Sequence, residues 1–310
     1  MEAVTIEQRR SLTDTRAAYL LPKDLGEGNR LDFQHYLLRQ VMHGNYLAPV
    51  SPSINIILDI GCGTGLWCRE MARAFPSVQI IGLDLEESQA VKERPATYYF
   101  VQSTILRPPW PSGDSCIDFT HMRGMLLSIP ALAWPRRLQE IVRVTRPGGW
   151  IELVECGCSI VPAGPVTQKV CDWIRESAQI SGIDPDLPHR LSRMAAQAGL
   201  RQVQEHHFDL PLGEWAGHLG RAALVNAQAF YEAMEPHFTR QLGMDFALVR
   251  STWQWLVREW NQAQARVRWY VVVGQREGKG GDAARVAPGL WPRLCVRGQG
   301  MVYSKTTSSF

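Results

Sequence analysis

Residues 54–61, INIILDIG, form a nearly unbroken run of apolar and β-branched positions that ends in glycine. That is the pattern of a strand buried on both faces of a sheet. Downstream, 66–75 carries helical periodicity, QIIGLD (79–84) and YYFVQ (98–102) read as strands, and CIDFTHM (116–122) reads as a fourth. Prolines 108, 109 and 111 break the chain between the last two. The segment 134–145 is helical, with Leu138, Ile141, Val142 and Val144 as its apolar positions, and Pro147-Gly148-Gly149 ends it before the strand WIELVE. Helices follow at 166–180 and 188–198, then RQVQEHHFDL alternates as a strand does and WYVVVGQ (269–275) is a last apolar strand. Upstream, LDFQHYLLRQVM (31–42) predicts an amphipathic helix with Leu31, Phe33 or His35, Leu38 and Met42 near one face; LGEGN (25–29) reads as the loop before it. Strand and helix alternate, which predicts an α/β fold with a parallel sheet covered on both faces.

Three stretches fall outside that alternation. Residues 1–28 are polar and read as a flexible N-terminal arm. About 58 residues, 211–268, separate the last two strands with helical periodicity and a heavy aromatic load that includes Trp215, Phe230, Trp253, Trp255 and Trp260. An insertion of that size between consecutive strands needs a role: a helical layer on the sheet edge, or a cap that walls an apolar pocket. Residues 276–310 are rich in Gly, Arg and Ser without sustained period and predict a poorly ordered tail, leaving 29–275 as the domain.

Composition narrows the function. At 310 residues with 45% hydrophobic and 20% charged positions, the chain can bury a sizeable core, and no apolar run reaches the roughly 18 residues a membrane span needs. Net charge is +3, from 33 basic and 30 acidic residues, and the basic ones are scattered; nothing gathers into a nucleic-acid-binding stripe. The start, MEAVTIEQRRSLTDTR, has neither the apolar core of a secretory signal nor the acid-poor character of a transit peptide, so a cytoplasmic or nuclear location is expected. Seven cysteines form no Cys-x-x-Cys pair; neither metal nor disulfide is expected.

The chemistry concentrates in Asp59-Ile60-Gly61-Cys62-Gly63-Thr64-Gly65, at the end of the first strand and the start of a helix. Glycines at 61, 63 and 65 would let a ligand approach the turn closely. Asp84 ends the next strand, where a carboxylate can accept two hydrogen bonds from neighbouring ribose hydroxyls. Asp59 would either offset a cationic ligand group or accept from loop amides. His121 and Arg123 close the fourth strand, at the end that opens on ligands in such sheets; His121 is the candidate general base. His206 and His207 are neighbours on a strand, point to opposite faces and make a poor metal pair.

With NRLDFQHYLL, LDIGCGTGLW, IIGLDLE, HMRGMLLSIP, RVTRPGGWIELVE and LGEW, the chain resembles the seven-stranded, Rossmann-like S-adenosylmethionine-dependent methyltransferases over roughly 29–275. It is most similar to fungal secondary-metabolism methyltransferases, a group that also resembles the velvet-associated regulator. The resemblance implies S-adenosyl-L-methionine as cofactor, Asp59, Gly61, Gly63 and Gly65 as the methionine and sugar loop, Asp84 as ribose ligand and Leu85 packed near adenine. It adds Arg123, and on the first helix His35 and Tyr36, as residues that close on the cofactor. Many relatives place an aspartate after the third strand; here Thr104 stands there, whose hydroxyl can accept the same bond. The implied activity is methyl transfer to a small-molecule acceptor. Two other readings stay open: a methyltransferase-fold cyclase or pericyclase that transfers no methyl group, and a regulator with a protein partner and a nuclear location.

Overall fold

The computed structural model describes residues 20–22, 24–88 and 94–278. The arm expected over 1–28 lies mostly outside them, as does the tail from 279 onward. One seven-stranded sheet organises the chain, made of β1 (Ile56–Ile60), β2 (Gln79–Asp84), β3 (Tyr98–Gln102), β4 (Ile117–Arg123), β5 (Thr145–Val161), β6 (Leu200–Pro211) and β7 (Arg266–Arg276). Their spatial order is β3-β2-β1-β4-β5-β7-β6. The first five are parallel, and β7 runs antiparallel to both β5 and β6. The strand order reverses at β1, which pairs with β2 on one side and β4 on the other; at such a switch the carboxyl ends of the strands leave a crevice.

The continuous apolar runs are explained by burial on both faces. Ile57, Ile80, Phe119, Val271 and Val273 enter one core, and their neighbours Ile56, Leu58, Ile81 and Val272 enter the other. Over the first face lie α1 (Leu25–Met42), α2 (Leu66–Ala74), α4 (Pro165–Ile180), α6 (Gly217–Pro236) and α7 (Phe246–Ala263); over the second lie α3 (Trp134–Val144) and α5 (Leu191–Gln197). Among the described residues, no helix is long and apolar enough to cross a membrane.

Two local expectations are corrected. The helix expected from residue 31 begins at Leu25, because Asp24 caps it by accepting from the Glu27 amide at 2.8 Å and Glu27 pairs with Arg30 inside its first turns. The glycines at 26 and 28 therefore sit in helix, where the Gly28 position faces Thr64 across α1 and α2's approach loop. The Pro147-Gly148-Gly149 run does not precede the strand but lies inside β5, at a register shift between Ile117 and Phe119 of β4; Gly148 has φ +73.

The insertion, too, has a definite role. Tyr231, Phe238, Trp253 and Trp260 pack in tilted and edge-on pairs at 5.4 to 5.6 Å, joined by Trp173 of α4. α6 packs along α1, and Arg30 of α1 lies over the Phe230 ring at 5.9 Å. Tyr231, Phe238, Trp253 and Trp260 are thus core or packed against it, in the layer that backs α1, whereas Trp255 and Phe246 are exposed.

Buried carboxylates tie the loops to the sheet. Glu155 accepts from the amides of Met125 (2.8 Å) and Leu126 (3.1 Å), and Glu152 from those of Leu47 (2.7 Å) and Ala48 (2.8 Å). Asp118 takes the amides of Asn55 and Ile56, both at 2.8 Å. Burial pushes the Glu155 carboxyl up to about 8, against the lowering effect of its two amides. The native state then holds a proton that the unfolded chain has released, so this group's contribution to stability falls as pH rises from about 4.5 to about 8. Glu155→Gln is expected to flatten the decline in Tm over that window, measured by thermal melts between pH 5 and 8.5.

Candidate active site at the switch point

The turn after β1 is shaped by three glycines with positive φ: Gly61 (+69), Gly63 (+55) and Gly65 (+72). Only two of them leave room that the protein itself fills. A Cβ on Gly61 would run into the Met125 side chain, and one on Gly65 into the Tyr98 hydroxyl; at Gly63 it would meet only Leu31, at 3.8 Å. Backbone conformation and internal packing therefore require Gly61 and Gly65, while Gly63 is the position that stays open. Gly65→Ala is expected to cost about 1 to 3 kcal/mol through αL strain and the Tyr98 clash, read as a lowered denaturation midpoint in urea.

Asp84 closes the other side of the turn. Its Oδ2 accepts from the Gly63 amide at 2.8 Å and its Oδ1 from the Leu85 amide at 2.6 Å, so the carboxylate is oriented by the loop it would serve. Around these groups lies a cavity of about 880 Å³ walled by the turn, the ends of β2, β3 and β4, and the first half of α1. Asp59, Gly61, Gly63, Asp84, Leu85, Thr104, His121 and Arg123 all line it. Thr104 holds a local turn by accepting from the Leu106 amide at 3.2 Å.

The remaining site expectations are placed differently. Tyr36 is 49% exposed, lies outside the cavity lining and stacks edge-on with His35 and under Arg39; helical geometry turns it outward while its neighbour turns in. Gly65 sits behind the turn against Tyr98. Asp59 meets neither loop amides nor open cavity alone: its Oδ1 takes His121 Nδ1 at 2.8 Å and its Oδ2 the Cys68 thiol at 3.3 Å. His121, the expected general base, is 1% exposed, stacks on Trp67 at 4.0 Å and borders the cavity; its Nε2 has no partner among the described residues. No residue of 211–268 lines this cavity.

Sequence reasoning missed the tether across α1. His35 Nε2 meets Glu70 of α2 at 3.0 Å, its Nδ1 meets Arg123 at 3.0 Å, and Glu70 also takes Arg39 at 2.6 Å. Burial, then the Arg123 charge, lowers His35 to about 4. Burial alone would raise Glu70, but its bonds to Arg39 and His35 leave it below the usual range. Burial also lowers Arg123, against the pull of Asp59 and Glu152. Asp32 of α1 and the Thr64 hydroxyl form a second, close link across the cavity mouth. These contacts join residues 31 to 88 positions apart, and the only sequence signal was the polar content of a helix that covers a site. Among the described residues, no group of three or more His, Cys, Asp or Glu is placed to hold a metal, and the six described cysteines are free thiols.

Residues 57–149 match the model of a methyltransferase domain family. That match covers β1 to the start of β5, and the sheet order and glycine turn are those expected above from the resemblance to Rossmann-like methyltransferases. The chain resembles fungal secondary-metabolism proteins. It is 29% identical to the secondary metabolism regulator LAE1 of Cochliobolus heterostrophus, over 64% of this chain and 68% of that one. It is 31% identical to methyltransferase pytC of Aspergillus terreus, over 64% of this chain and 62% of that one. The aligned part thus spans about two thirds of these relatives. Among solved structures, a phosphoethanolamine N-methyltransferase 2 of Haemonchus contortus, in complex with S-adenosylhomocysteine, is similar at a TM-score of 0.48 and 15% identity, over 79% of this chain and 57% of that one.

Proposed function

We propose that the protein binds S-adenosylmethionine in the cavity at the β1 switch point and transfers its methyl group to a small-molecule acceptor of secondary metabolism. The observation that carries this reading is the turn 61–65, with Asp84 oriented by its amide, opening on a cavity of about 880 Å³. That size suits a ligand of a few dozen atoms. The residues present fit the cofactor: the open Gly63 position admits a close approach, the Asp84 carboxylate is an acceptor at the tip of β2 for ribose hydroxyls, and Leu85 and Thr104 stand at the strand ends where a base would lie. When bound, the cofactor supplies an electrophilic methyl group on a sulfonium.

The chain's own part is placement and exclusion of water. α1, tied down by His35 and Asp32, covers the cavity and would hold an acceptor against the methyl donor, where alignment and a dry site account for much of the acceleration. Because His121 is closed in by Trp67 and bonded to Asp59, its geometry favours holding Asp59 in place over meeting an acceptor hydroxyl. Asp59 in turn offers negative charge to a cationic ligand group. Seven carboxylates and a single guanidinium, Arg123, line the cavity among the described residues, which suits a sulfonium and disfavours a polyphosphate or nucleic acid.

Calorimetry with S-adenosylmethionine on the wild type and Asp84→Asn tests the cofactor site. About tenfold or greater loss of affinity is expected, with a Tm shift of a few degrees at most; unchanged affinity would show the ribose ligand to be misplaced. Mass analysis with polyketide, terpenoid and peptide-derived acceptors then tests the reaction. A product heavier by one methyl group supports transfer, a ring-closed product of unchanged mass supports a cyclase, and tight cofactor binding with a stable protein complex but no product supports the regulator reading.

A further inference from the structure

We propose that His35 is a positioning residue that aims Arg123 at the carboxylate of the cofactor's amino-acid end, so that recognition of that carboxylate and seating of α1 are one event; this rests on the cofactor reading above. A guanidinium has no acceptor, so the 3.0 Å contact from Arg123 obliges His35 Nδ1 to accept. The imidazole proton then sits on Nε2 and is donated to Glu70, 3.0 Å away. Glu70 is held from its other oxygen by Arg39. Donor and acceptor roles are thereby fixed along the chain Arg123, His35, Glu70, Arg39, which spans β4, α1 and α2.

Arg123 is left in an unusual condition. It is half buried, its one hydrogen bond among the described residues goes to a neutral ring nitrogen, and no carboxylate of those residues lies within ion-pair distance. A desolvated cation without a counter-ion is costly, and a ligand anion would complete it. Its position selects the source. Arg123 lies one residue beyond the Ile60–Met122 pair, beside the Gly61 turn, while Asp84 stands on the far side of β1. A nucleoside with its ribose on Asp84 would carry its opposite end across β1 to the tip of β4. There Asp59 and Arg123 offer opposite charges, the complement of an amino acid's ammonium and carboxylate.

The test uses S-adenosylhomocysteine and 5′-methylthioadenosine, which share the nucleoside thioether and differ in the amino-acid end. In Arg123→Ala and His35→Ala, affinity for S-adenosylhomocysteine is expected to fall about ten- to hundredfold while that for methylthioadenosine stays within about twofold. The double variant should be no weaker than Arg123→Ala alone. His35→Asn, which keeps an acceptor near the Nδ1 position, should recover part of the loss. Equal losses for both nucleosides in His35→Ala would reduce His35 to a structural residue and overturn the proposal, as would independent, additive losses in the double variant. Unchanged S-adenosylhomocysteine affinity in Arg123→Ala would assign the guanidinium to a carboxylate on the acceptor and overturn it too. A wild type that binds both nucleosides equally well would sink this inference alone; a wild type that binds neither would sink the cofactor reading with it.

Discussion

A carboxyl group shut inside a protein is tolerable only if hydrogen-bond partners replace its water, and a loop leaving a sheet has amide donors that need acceptors. The two requirements answer each other here. Glu152, Glu155 and Asp118 each take two successive backbone amides, and Asp84 takes one from the glycine turn and one from its own loop. Of the segments held in this way, the glycine turn, Leu85 and Met125 wall the cavity, while Glu152 and Asp118 anchor segments away from it. A lost acceptor would leave two amides without partners and loosen the segment they anchor.

Much of this was legible beforehand. Strands 79–84 and 98–102 agree with the observed bounds because two-faced burial writes a continuous apolar run into the sequence. The glycine turn and Asp84 were legible as a motif, since positive φ at three alternate positions permits little but glycine. The reason assigned to two of those glycines was not, because Met125 arrives from the loop after β4 and Tyr98 from β3. The start of α1 at Leu25 was hidden for a related reason: Gly26 and Gly28 weaken helix propensity, and what overrides them is the Asp24 cap together with docking on α6. Nor could any local pattern reveal that Arg123 would find His35, since two residues 88 apart share no periodicity.

Charge is distributed unevenly between the chain and its cavity. The whole sequence carries a slight positive excess, yet the space at the switch point is bordered by carboxylates, several of them already engaged by amides, by His121 or by Arg30. Engagement leaves their field in place while removing the cost of bare burial. A ligand with a cationic centre gains from that field without having to break the bonds that hold the walls.

The helices between β6 and β7 touch the cavity nowhere, but they set the height of its roof. α6 bears on α1 through Arg30 and Phe230, and His237 at its end grips the Leu20 carbonyl at 2.6 Å while Leu127 takes the Leu20 amide. Substitutions on this outer layer can raise, lower or tilt the roof and leave every group on the floor unchanged. Changes to that layer would reshape the space above while the turn, Asp84 and Arg123 beneath stay in place, giving one scaffold a succession of clients.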